Sequence, residues 1–118
     1  MGTSMINASS KDKEIQKAYC VSLVKLGKRS SSHIYELSDD FLSSRLSSPE
    51  ARFLVKAKAY FGHLELFEKK IVVMNILERG AYYPFWYLPE IPYSEFRDKK
   101  LALENTLARF ATEEGVLL

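Results

Sequence analysis

Three prolines, Pro84, Pro89 and Pro92, fall inside the stretch Ala-Tyr-Tyr-Pro-Phe-Trp-Tyr-Leu-Pro-Glu-Ile-Pro-Tyr at residues 81–93. Proline lacks the amide donor and its ring clashes with the preceding turn, so no regular helix runs through this stretch. The residue before each proline is driven to extended backbone. The sequence therefore predicts an ordered, extended connector that sets one final helix apart from everything before it. In that helix Phe96, Leu103, Leu107 and Phe110 form the apolar stripe, Ser94 supplies the cap and Gly115 the stop.

Upstream of the connector the periodicity is helical. Ile15, Tyr19, Leu23 and Leu26 recur at spacings of four, four and three, and Gly27 stands at a C-terminal stop with Lys25 in the last turn. A competing strand through Tyr19, Val21, Leu23 and Lys25, turning at Gly27-Lys28-Arg29-Ser30, leaves residues 16–37 open between helix and hairpin. Ile34, Leu37, Phe41 and Leu42 suggest a second helix ending near Leu46, with a possible restart at Ser38-Asp39-Asp40. Ser47-Ser48-Pro49-Glu50 is the clearest local signal. Serine accepts open amide hydrogens, proline fits the first helical position, and the acid meets the positive end of the dipole.

The helix starting there carries Phe53, Leu54, Ala57, Phe61, Leu64, Phe67 and Ile71 on one flank, with Gly62 as a bend or break. Ile71 to Leu77 is apolar all round except for Asn75, and Glu78-Arg79-Gly80 closes it as a helix end. The sum is an all-α fold, a compact four- or five-helix domain with an extended aromatic/proline connector before the last helix. The variant is α+β, with a small N-terminal β-hairpin. Residues 10–118 form one helical domain; residues 1–9, poor in apolar side chains, are expected to be a disordered lead-in or a cloning remnant.

A length of 118 residues suits one domain, and 47% hydrophobic with 27% charged residues is ordinary for a globular chain. No apolar run approaches the roughly 20 residues a membrane span needs, so a soluble protein is expected. Ile6 stands where a myristoylation pattern requires Ser or Thr. The single cysteine, Cys20, cannot form an internal disulfide, and no secretory leader opens the chain, which together suggest a cytoplasmic setting.

Enzyme readings fare poorly. His63-Leu64-Glu65 matches the H-x-E fragment of zinc deaminases but lacks its C-x-x-C partner, and two histidines with one cysteine show no metal-ligand spacing. Gly27-Lys28-Arg29 has Arg where a phosphate-binding loop needs Ser or Thr. Cys20 lies in an apolar context, and the acidic pairs Asp39-Asp40 and Glu113-Glu114 fall at helix ends. No catalytic residue, metal ligand or cofactor is assigned.

Two features remain, the aromatic connector and a helix–turn–helix-like basic face, and Asn75 bears on oligomeric state. Tyr82, Tyr83, Phe85, Trp86 and Tyr87 are rigid aromatics suited to anchoring a protein partner, against the alternative that they fold back as a lid over the core. Asn75, in the apolar run with Ile71, Met74 and Leu77, suggests a helix-pairing seam and hence a homodimer; an internal hydrogen bond in a monomer is the alternative. The leading expectation is a small regulatory or adaptor protein acting through an unidentified protein partner. The runner-up is a DNA-binding regulator in which a helix–turn–helix geometry presents Lys28, Arg29, Arg45, Arg52 and Lys56. The net charge of +2 permits nucleic-acid binding without arguing for it.

Overall fold

The computed structural model describes the backbone of residues 3–29 and 31–116 and the side chains of residues 11–29 and 34–116. It contains five α-helices among the described residues: α1 (Thr3–Lys25), α2 (Asp39–Ser43), α3 (Pro49–Gly62), α4 (Leu66–Ile71) and α5 (Tyr93–Glu113). A 3-10 helix at Ser31–Glu36 precedes α2, and a π-helical segment at Val72–Leu77 continues directly from α4. No strand occurs among the described residues, so the all-α reading holds and the hairpin variant does not.

The hairpin fails for a steric reason. Ile15, Ala18, Tyr19, Leu23 and Leu26 are all buried, whereas Val21 and Val24 are exposed, which is the helical division of this segment and not an alternation. Gly27, at φ 83°, ends α1 in a left-handed turn that a side chain would oppose. The Lys28 N–H reaches back to Leu23 O (2.7 Å) and the Gly27 N–H to Val24 O (3.0 Å), so two terminal carbonyls are satisfied. Gly115 closes α5 in the same way, with Val116 N–H on Ala111 O (2.9 Å).

α1 begins at Thr3 rather than at Ser10, so backbone expected to be a lead-in is helical. Once the buried turns are nucleated, extending a helix toward its N-terminus needs only propagation. A remnant at Met1–Gly2, the turn residue Ser30 and the side chain of His33 lie outside the described residues.

Local capping chemistry sets the next boundaries. Ser38 Oγ accepts the Phe41 N–H (3.0 Å), which restarts the chain as α2 after the 3-10 turn. Ser48 Oγ accepts the Ala51 N–H (3.3 Å), and Pro49 opens α3. α3 stops at Gly62, and α4 begins four residues later with Glu68 Oε1 accepting the Glu65 N–H (3.1 Å). The apolar run beyond Ile71 adopts π-helical winding: the Glu78 N–H donates to Val73 O, five residues back, at 2.8 Å. α5 starts at Tyr93 with Pro92 at the cap position, so Ser94 lies within the helix and is not its cap.

α1 runs through the middle of the assembly and packs on α5, α3 and the π segment; α3 also meets α2 and α5. Phe53, Leu54, Ala57 and Phe61 of α3, Ile71 to Val72, Ile76 and Leu77, and Leu103, Leu107 and Ala111 of α5 fill the core. Between the π segment and α5 the connector does not run extended. Pro84 sits second in a turn closed by the Trp86 N–H on Tyr83 O (3.2 Å), the position its fixed φ suits, and further turns follow through Leu88 and Glu90. No helix among the described residues is long and apolar enough to cross a membrane.

Candidate functional site

The connector splits the aromatic cluster into an anchor and a display. Tyr87 is only 2% exposed and stacks on Phe96 of α5, with ring centroids 3.7 Å apart and planes 3° from parallel. Trp86 is half-buried, packs edge-on to Phe96 and tilts against Phe67. Its indole N–H donates to Asn75 Oδ1 at 2.8 Å. The one polar side chain of the apolar run thus faces the connector. Tyr82, Tyr83 (69% exposed), Phe85 (51% exposed), Leu88 and Tyr93 remain on the surface. The lid alternative therefore describes Trp86 and Tyr87, and the partner-binding expectation retains Tyr82, Tyr83 and Phe85.

These residues border a cleft of about 1080 Å³ between the connector, the π segment, α1 and α5. Met74 and Asn75 line one side, Phe96, Leu101 and Asn105 another, and Lys11, Arg79 and Arg97 bring cations to it. Lys11 Nζ donates to Asn105 Oδ1 (2.7 Å), tying α1 to α5 across the cleft.

Asp12, Lys100 and Glu104 also line the cleft, and the sequence reading assigned none of them. Lys100 Nζ contacts Asp12 Oδ2 at 2.9 Å and Glu104 Oε2 at 3.0 Å. Glu104 is fully buried and Asp12 nearly so. The second oxygen of each carboxylate, Asp12 Oδ1 and Glu104 Oε1, has no hydrogen-bond partner among the described residues. Burial pushes the Asp12 carboxyl above its ordinary range, against the opposing pull of Lys100 and Arg79. A helical spacing held the clue. Asp12 falls on the stripe of Ile15 and Tyr19, and Glu104 beside Leu103 and Leu107, so each is a charge placed on a buried face.

The proposed self-association residues lie elsewhere than a surface seam. Ile71 and Leu77 are fully buried within the chain, Met74 and Asn75 are partly buried at the cleft, and Asn75 has an internal partner in Trp86. The apolar belt was expected to be too wide for one chain to cover; α1, α5 and the connector cover it. Gln16 Nε2 even reaches the Leu77 carbonyl at 2.7 Å, capping the end of the π segment from α1.

The basic residues are dispersed and largely engaged. Arg52 Nε meets Glu114 Oε1 (2.7 Å) and its Nη1 donates to Leu46 O (2.7 Å). Lys56 meets Glu114 (2.7 Å) and Glu113 (3.2 Å). Those hydrogen bonds hold Glu114 below the usual carboxylate range and push Lys56 up. Arg45 stacks over Phe41 in the turn after α2, while Lys28 and Arg29 follow α1. α2, with five residues, is also too short to serve as the first helix of the expected helix–turn–helix arrangement. Cys20 is half-buried and burial raises its thiol pKa, which disfavours the thiolate. His63 is exposed.

No protein-family model matches the chain, and no curated protein or solved structure shows significant similarity to it.

Proposed function

We propose that this chain is a small adaptor or regulatory module that binds a short segment of another protein in the aromatic cleft. The supporting observation is the division of the connector: Trp86 and Tyr87 pin its backbone to the core while Tyr82, Tyr83, Phe85 and Leu88 stay exposed beside the cleft. Aromatics on a fixed backbone offer large contact area with little entropy left to lose, which is how binding surfaces obtain affinity.

Two further features choose the occupant. The cleft, at about 1080 Å³, stands at the upper end of the roughly 300–1,000 Å³ usual for small-molecule pockets, and exposed aromatics border it. Its lining carries four cations against two carboxylates, and Lys11, Arg79 and Arg97 are the outer ones. An extended segment with acidic residues flanking aromatic or apolar side chains complements both shape and charge. In this reading the protein acts as a monomer, because Ile71 and Leu77 are interior, and a reducing, cytoplasmic setting suits its lone cysteine. The DNA-binding alternative loses ground, since Glu113 and Glu114 already occupy Arg52 and Lys56.

A random peptide display selection against the purified protein tests the proposal. Enrichment of acidic, aromatic-containing peptides that no longer bind a Tyr83→Ala/Phe85→Ala variant is the expected result. Both side chains are exposed, so that variant keeps its fold. Peptides that bind the variant equally well, or no enrichment at all, would contradict the reading.

A further inference from the structure

We infer that the α5 wall of the aromatic cleft recognises two acidic residues set four apart in an extended segment, with an apolar residue midway between them. The inference rests on the peptide-binding reading above and adds its sequence pattern.

Four residues of α5 that line the cleft stand at a constant interval of four: Tyr93, Arg97, Leu101 and Asn105. Side chains four apart share one face of a helix, so they form a single ridge along the wall. All four are exposed. Lys11 of α1 reaches the far end of this ridge, where its ammonium donates to the Asn105 amide oxygen at 2.7 Å. In order, the wall presents an aromatic ring, a cation, an aliphatic side chain and a second cation.

These two cations differ from their neighbours. Lys100 lies between Asp12 and Glu104 with Arg79 beside Asp12, and Glu113 and Glu114 hold Arg52 and Lys56. The partner of Lys11 is a neutral amide, which leaves its charge uncompensated. Arg97 has only the adjacent Asp98, at 3.4 Å, and the two side chains are 53% and 72% exposed, so the contact holds the guanidinium weakly. The Asp12 and Glu104 carboxylates are buried, so an incoming chain meets positive charge at both ends of the ridge and apolar surface between.

The spacing selects the backbone of the ligand. Arg97 and Asn105 are about 12 Å apart along the axis, with Leu101 halfway, at ~1.5 Å of rise per residue. An extended segment rises about 3.3 Å per residue and turns alternate side chains to one face, so residues i, i+2 and i+4 recur every ~6.6 Å. Those three match Lys11, Leu101 and Arg97 in turn. Residues i+1 and i+3 point the other way, toward Tyr83 and Phe85 of the connector. The pattern is acid, aromatic, aliphatic, aromatic, acid. A helical segment spans the same distance only with its acids about seven or eight residues apart.

The test uses dye-labelled peptides of one composition, two Glu, two Phe and one Leu in a Gly-Ser frame. They are permuted so that the glutamates stand one, three, four or seven apart. Net charge and apolar content are then constant, and fluorescence anisotropy gives each affinity. The four-apart peptide should bind about fivefold more tightly than the others, the worth of one well-placed surface ion pair. In Arg97→Gln, a substitution at an exposed position, that advantage should disappear. Equal binding of all four peptides, or tightest binding of the seven-apart peptide, overturns the inference and leaves peptide binding itself standing. No binding by this set while a display-selected peptide binds overturns the inference alone. No binding by either overturns both.

Discussion

Helix α5 carries two groups of charges that behave as opposites. At its C-terminal end Glu113 and Glu114 face Arg52 and Lys56 of α3. The two oxygens of Glu114 are divided between the two cations, at 2.7 Å each. In its middle, Lys100 and Glu104 face Asp12 of α1, and each carboxylate has one oxygen bound and one without a partner among the described residues. The first group is solvated and complete; the second is buried and is not. Hydrogen bonds from Lys56 and Arg52 lower the Glu114 pKa, whereas burial raises that of Asp12. The contrast teaches that a basic residue on a helix face is weak evidence for a ligand, because its own chain can satisfy it. A buried charge that its own chain leaves half-satisfied is instead a cost that the surrounding packing must offset.

The largest expected effect lies in the buried group. Lys100→Ala leaves two buried carboxylates without their shared cation and should destabilise the fold by about 3–5 kcal/mol, measured by urea unfolding. Replacing the group together, as Asp12→Leu, Lys100→Met and Glu104→Leu, should leave stability unchanged or higher. A triple variant as unstable as Lys100→Ala would mean that the charges support the fold.

Next in size is the hydrogen bond that orients the cleft wall. Trp86→Phe keeps an aromatic ring but removes the donor to Asn75 Oδ1, which should cost about 1 kcal/mol in thermal or urea unfolding. The same substitution in an Asn75→Ala background should cost less, since the pair is already broken.

The two groups also differ in the sign of their pH dependence. The raised pKa of Asp12 means the folded state holds its proton longer, so this group erodes stability as pH rises from the ordinary 3.8 through the raised value. Asp12→Asn should remove that decline. Glu114, lowered from 4.5, contributes stability above that value and loses it as pH falls through its folded pKa; Glu114→Gln should flatten the acid limb. Unfolding midpoints measured between pH 3 and pH 7 separate the two slopes. The smallest effect belongs to Arg52→Ala with Lys56→Ala. These are exposed pairs, so stability should change least of all the variants, and peptide binding should be unaffected.

How legible the sequence was depends on whether the governing interaction is local. Ser48-Pro49, Gly27 and Gly115 mark helix ends by their own cap chemistry, and the structure has ends at those places. The local apolar spacing favoured a helix over residues 11–26 but left a hairpin open from residue 16, because Tyr19, Val21, Leu23 and Lys25 also alternate. The connector was legible as non-helical from its prolines, but no periodicity separates Trp86 and Tyr87 inside from Tyr83 and Phe85 outside. That division is set by Phe96 and Asn75, which belong to other elements. The charge cluster was missed because Asp12 sits within Lys-Asp-Lys-Glu and Lys100 within Asp-Lys-Lys, each of which reads as a solvated face unless the apolar stripe is followed through it. Only the packing of α1 on α5 brings them together. The π winding of Val72–Leu77 had no signal beyond an apolar run.

The most direct test of the cleft as the binding site is a ¹⁵N–¹H titration with a peptide recovered from the display selection. The account predicts that the indole N–H resonance of Trp86 shifts together with the backbone amides of Tyr82, Tyr83 and Phe85 and those around Asp12 and Glu104. Binding that leaves these resonances in place and moves amides on the outer face of α3, around Arg52 and Lys56, would contradict it.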